Sequence, residues 1–119
     1  MRRPRRRARG SSVRVVFITT PTRSRALTIA RALIRRRLAA CVNCVPGVRS
    51  IFRWQGRVEA CAETLLIAKT TASRLPALTA AVRRLHPYEL PEVLALPATG
   101  GSAAYLRWVA RSCVSEEKK

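Results

Sequence analysis

Apolar residues along the chain fall into two periods, and the switches between them mark out the elements. Val13 to Thr20 (VRVVFITT) is β-branched and aromatic, the pattern of a short buried strand, and Pro21 ends it. Over Arg23 to Leu38 the period turns helical. Leu27, Ala30, Ile34 and Leu38 form a stripe, with Arg31 and Arg35 on the opposite face. Ala40 to Val45 predicts a second strand, ended by the turn dipeptide Pro46-Gly47. Val48 to Trp54 continues extended to a hairpin tip at Gln55-Gly56, and Val58 to Thr70 returns as a long strand. Thr71 or Ser73 can cap a second helix that carries Pro76 in its first turn. Leu75, Leu78, Val82 and Leu85 stripe that helix, and His86-Pro87 stops it. Leu90 to Leu96 predicts a last strand. Ser102 then caps a third helix striped by Tyr105, Leu106, Val109 and Cys113.

The order β-α-β-β-α-β plus a final helix predicts an α+β, ferredoxin-like sandwich with its helices on one sheet face. Residues 1–12 read as a disordered Arg-rich arm, 13–114 as the folded domain and 115–119 as a charged tail. A length of 119 residues suits a single domain, and no apolar run is long enough to span a membrane. The basic N-terminus lacks a following apolar segment, so the sequence predicts a cytoplasmic location.

Charge changes the picture more than size does. Lys+Arg total 24 against six Asp+Glu, for a net charge of +18, and there is no Asp. Arg2, Arg3, Arg5, Arg6, Arg7 and Arg9 concentrate in the arm, where they predict nonspecific contact with polyanions by neutralising phosphates. The four cysteines are expected as free thiols. Cys41 and Cys44 form a CxxC, but a spacing of three on a strand puts them on opposite faces, as small core residues rather than two ligands of one metal. There is one histidine, no GxSxG and no phosphate-binding loop, so the chain is not expected to be an enzyme.

Four stretches in order carry a resemblance: Leu38-Ala39-Ala40-Cys41-Val42-Asn43 with Val45-Pro46-Gly47; Ser50 to Glu59 (SIFRWQGRVE) with Glu63 beyond; Lys69-Thr70; and His86-Pro87-Tyr88-Glu89-Leu90-Pro91-Glu92-Val93 running on to Tyr105-Leu106-Arg107-Trp108. Over about 100 residues the chain resembles the CutA divalent-cation-tolerance family. The resemblance implies a tight homotrimer built through the long hairpin strands, with an architecture similar to PII-like proteins. Trp54, Gly56 and Tyr88 are the motif residues tied to that hairpin and trimer. It also implies a relation to copper or other divalent metals. The Cys and the two consecutive His that some members use as copper ligands fall at Ile18, Leu85 and His86, so only the last is kept.

Candidate metal donors are therefore His86, Glu89 and Glu92, with Cys41 and Glu63 as further ones, and Cu²⁺ or another divalent ion as the expected ligand. Glu59, Cys61 and Glu63 alternate on one strand face. A trimer of such subunits would repel free cations, so a metal site has to rest on direct ligands. Two other readings remain, a basic RNA- or polyanion-binding module and a PII-like sensor of a small ligand. The first and third strands lack the aromatics with which an RRM sheet stacks bases.

Overall fold

A computed structural model describes residues 11–114. Seven elements follow in order: β1 (Val13–Thr20), α1 (Arg23–Arg35), β2 (Cys41–Trp54), β3 (Arg57–Thr71), α2 (Leu75–Leu85), β4 (Leu94–Pro97) and α3 (Ala103–Ser112). The strands form one antiparallel sheet in the order β2-β3-β1-β4. This is the ferredoxin-like βαββαβ arrangement with an added C-terminal helix. Of the arm and tail drawn from the sequence, residues 1–10 and 115–119 lie outside the described residues. Ser12 is tied to the fold through its carbonyl, which accepts from the Ala72 amide at 2.8 Å.

Strand alternation builds the core. Val16 and Ile18 of β1 stand beside Ala68 and Leu66 of β3 on one sheet face, and Val42 and Cys44 of β2 continue that row. Ala26, Ile29 and Leu33 of α1, with Leu78, Ala81 and Val82 of α2, pack on that face. A smaller cluster of Val13, Val109 and Cys113 seats α3.

Several expectations are corrected. The buried stripe of α1 is Ala26, Ile29, Ala30 and Leu33, one position off the one read from the sequence, and Ile34 is 43% exposed. The helix stops at Arg35 rather than Leu38. Arg37 takes a left-handed φ of 56°, its N–H donates to Ile34 O, and the Leu38 N–H donates to Leu33 O. These two bonds close the last turn and let Leu38 drop into the core. Pro46-Gly47 does not end a strand. The pairing slips between Val45 and Val48, so the dipeptide is a bulge inside one continuous β2. The α2 N-cap position is Arg74, with no side-chain cap, although Thr71 Oγ1 accepts from its N–H at 3.4 Å. The last strand begins at Leu94 rather than Leu90.

The β2–β3 hairpin outruns the rest of the sheet. β1 pairs with β3 only over Thr64–Thr71, so β3 from Arg57 to Glu63 has β2 as its one neighbour. The turn residues Gln55 and Gly56 both have positive φ, 51° and 80°, as a two-residue hairpin turn with the right-handed twist requires.

Candidate functional site

β1 ends at Thr20 opposite Thr64, which makes Glu63 the first β3 residue past its end. The segment between α2 and β4 fills that corner. His86 leaves α2 in an extended conformation, because the following Pro87 disfavours helix there. Its imidazole is buried, with 7% exposure. Nε2 lies 2.7 Å from the Thr19 carbonyl, and Nδ1 lies 3.1 Å from the Tyr88 backbone nitrogen. A carbonyl only accepts and a backbone N–H only donates, so Nε2 carries the proton and Nδ1 offers its lone pair to Tyr88. Both ring nitrogens are engaged.

The Tyr88 ring packs on that imidazole, with centroids 4.7 Å apart at 47°. Its hydroxyl donates to Glu63 Oε2 at 2.7 Å, and Glu63 is itself buried. Desolvation raises the Tyr88 pKa most, and the hydrogen bond and negative charge of Glu63 add to it, so the phenol stays protonated well above its usual range. Cys61, two residues earlier on the same face of β3, also has a raised pKa. Burial leads, Glu63 and Glu59 add to it, and Arg49 opposes it. It is a thiol at neutral pH rather than a preformed thiolate.

The structure joins some of the expected residues and separates others. Glu63, Tyr88 and His86 form one linked cluster with Cys61 beside it. Glu89 and Glu92 are exposed on the loop that follows. Cys41 stands opposite Lys69, six residues along β3 from Glu63, or about 20 Å away at ~3.3 Å per residue. There Lys69 Nζ donates to Asn43 Oδ1 and approaches Cys41 Sγ at 3.9 Å. Trp54 and Gly56 lie at the hairpin tip, whereas Tyr88 sits at the base of the hairpin's free half. The arm arginines Arg2, Arg3, Arg5, Arg6, Arg7 and Arg9 lie outside the described residues. Among the described residues no three His, Cys, Asp or Glu side chains are placed to hold one metal ion. The described donors of a single chain therefore do not fit a complete metal site by themselves. The Tyr88–Glu63 bond had no local signal in the sequence, because its two ends lie 25 positions apart.

This fold is shared with known proteins. The family model of the CutA1 divalent ion tolerance protein matches residues 14–112. The chain belongs to the CutA1 divalent ion tolerance family. The divalent-cation tolerance protein CutA of Thermus thermophilus is 53% identical over 95 residues, covering 80% of this chain and 92% of that protein. Protein CutA of Mus musculus is 49% identical over 98 residues, which are 82% of this chain but 55% of the mouse protein. The chain thus spans about half the length of the mammalian relatives it matches. The structure of the T. thermophilus protein superposes with a TM-score of 0.83 at 50% identity, over 84% of this chain and 97% of that one.

The cytoplasmic location expected from the sequence does not stand. CutA relatives from Arabidopsis thaliana and Oryza sativa are named chloroplastic, and the Archaeoglobus fulgidus CutA structure is described as periplasmic. CutA1 membership therefore points to no single compartment. Among the described residues no helix is long and apolar enough to cross a membrane.

Proposed function

We propose that the chain is a homotrimeric divalent-cation tolerance protein that binds copper or another divalent ion with side chains drawn from more than one copy. The uncovered face of the sheet carries this reading. Val15, Phe17, Leu65 and Ile67 lie together there, and Leu94 and Leu96 beside them are 56% and 46% exposed. A contiguous apolar face of this kind, left open because α1 and α2 pack on the other side and α3 covers only its end at Val13 and Ala98, is a surface for a protein partner. Closed rotational symmetry covers it in every copy at once, and three copies is the number the family resemblance implies. The long β3 strand adds to the argument. β1 covers it only over Thr64–Thr71, so the edge from Arg57 to Glu63 is open to backbone pairing with another copy.

The metal reading follows from the same geometry. One subunit presents Glu59, Cys61 and Glu63 along a strand face without converging them, and the His86 nitrogens are held by backbone groups. A donor from a neighbouring copy is what completes such a set. The role is binding rather than catalysis, since the phenol, carboxylate and imidazole of the corner hold one another and the backbone. Residues 1–12, with six Arg, supply nonspecific polyanion contact in this reading.

Sedimentation velocity tests it, with Cu²⁺ calorimetry on the same samples. The wild-type chain should sediment at three times the 13.2 kDa subunit mass. Ile67→Glu, in the middle of the open face, should give single subunits with weakened Cu²⁺ binding. A wild-type chain that runs as single subunits at micromolar concentration ends the trimer reading. Unchanged Cu²⁺ affinity in the Ile67→Glu subunit ends the shared-site reading.

A further inference from the structure

No acidic residue precedes Glu59, and eight of the 15 Arg from position 11 onward lie on α1, α2 or their caps. Neither helix contains Asp or Glu. The two helices run antiparallel, as two contacts show. Arg25 at the start of α1 donates to the Leu85 carbonyl at the end of α2, at 3.4 Å. Arg74 before α2 donates to the Arg37 and Arg36 carbonyls after α1, at 3.3 and 3.4 Å. One end of the helix layer therefore gathers Arg23, Arg25, Arg83 and Arg84. The other gathers Arg35, Arg36 and Arg74. The 13 residues of α1 hold the two groups about 20 Å apart at ~1.5 Å per residue. Within the fold this arrangement is unfavourable, because the first turn of α1 places two cations and no acid at the positive end of its dipole. An anion from outside the chain reverses that cost.

We infer that the outer face of the α1–α2 layer binds the phosphate backbone of duplex nucleic acid without reading its bases. Guanidinium forks match phosphate oxygens, and a separation of about 20 Å spans roughly six base steps at ~3.4 Å each. A single strand would gain affinity by stacking bases on aromatic side chains, and neither helix carries one. A lipid surface calls for large apolar residues between the basic ones. Apart from Ile34, the exposed non-basic positions here are small, including Ser24, Thr28, Ala77 and Ala80. This surface lies on the side of the sheet away from the uncovered face, so assembly through that face leaves it outward. Its arginines are distinct in sequence from the six of the arm, which lie outside the described residues.

Fluorescence anisotropy of full-length protein with a mixed-sequence duplex of about 20 bp, titrated between about 50 and 200 mM salt, tests the assignment. One variant carries Arg31→Gln, Arg35→Gln, Arg83→Gln and Arg84→Gln, all at exposed positions. A second carries Gln at the six arm arginines. The helix-layer variant should bind at least about tenfold more weakly, with the slope of log K against log salt reduced by roughly 3 to 4, at about 0.9 per lost phosphate contact. Its melting temperature should not change, and the two Arg pairs made separately should each give about half the effect. The arm variant should retain the slope that the helix layer supplies. An unchanged slope in the helix-layer variant, with binding abolished in the arm variant, overturns the assignment. So does single-stranded DNA binding as tightly as the duplex, or phosphatidylserine vesicles capturing the wild-type protein through these arginines while the duplex does not bind.

Discussion

Tyr88→Phe isolates one oxygen in the corner beside β3. The substitution keeps the ring and its packing on His86 and removes the hydroxyl that donates to Glu63 at 2.7 Å. Glu63 is 6% exposed, so its carboxylate is left buried without that donor. A hydrogen bond to a charged group contributes about 1.5–3 kcal/mol, which puts the expected loss near 2 kcal/mol, or roughly 8 °C in a domain of about this size. The loss depends on pH in a defined direction. Burial first, and then Glu63, raise the Tyr88 pKa in the folded chain, whereas the unfolded chain ionises near the ordinary phenol value of about 10. The contribution is therefore complete below about pH 10 and is lost as pH rises from there toward the folded value. Urea melts at fixed protein concentration, at neutral pH and through the alkaline range, measure both effects. Tyr88→Phe should be less stable at neutral pH and should lack the part of the alkaline decline due to Tyr88. Glu63→Gln should cost less in the Y88F background than alone, with an interaction energy of at least about 1 kcal/mol. A Tyr88→Phe protein within about 0.5 kcal/mol of wild type, with a superimposable alkaline decline, refutes the reasoning.

His86→Ala should lower the stability of metal-free protein by about 2–4 kcal/mol in urea, because both the Thr19 carbonyl and the Tyr88 N–H lose a partner. An imidazole that served only as a metal ligand would leave that stability unchanged. Thr70→Val should cost about 1–3 kcal/mol in the same assay, since Thr70 Oγ1 donates to the buried Leu38 carbonyl at 2.7 Å. At the hairpin tip, Gln55→Asn should raise stability by about 0.5 kcal/mol and Gly56→Ala should lower it by about 1 kcal/mol, as both positions need positive φ.

Element order, the hairpin turn and the opposed faces of Cys41 and Cys44 were legible because each follows from local period or turn chemistry. The α1 stripe was not. Apolar residues occur there in adjacent pairs, Ala26-Leu27, Ile29-Ala30 and Leu33-Ile34, so two stripes fit the same period and only the position of the sheet chooses between them. Pro46-Gly47 reads as a turn from its composition. It is a bulge because the residues on both sides keep the same partner strand, which no local rule contains. In the corner, Glu63 stood out as a metal donor and Tyr88 as a motif residue, yet each meets the other. His86 was read as a helix stop and a metal donor, and its ring nitrogens meet the Thr19 carbonyl and the Tyr88 N–H of its own chain. What joins these residues is where β1 ends along β3, a property of register rather than of composition.

The bulge at Pro46-Gly47 also bears on what a single copy of the chain offers to stray strands. β2 is an edge strand, and an edge strand is a template on which stray chains can add and fibrils grow. Here the template is interrupted. Pro46 has no N–H to offer, Gly47 turns the backbone through a φ of 78°, and the register on the two sides differs. An ordinary strand that matches Cys41–Val45 is out of step with Val48–Trp54, so it gains one short ladder rather than a continuous one. Promiscuous growth along this edge is thereby discouraged, while a surface shaped to the kink loses nothing by meeting it.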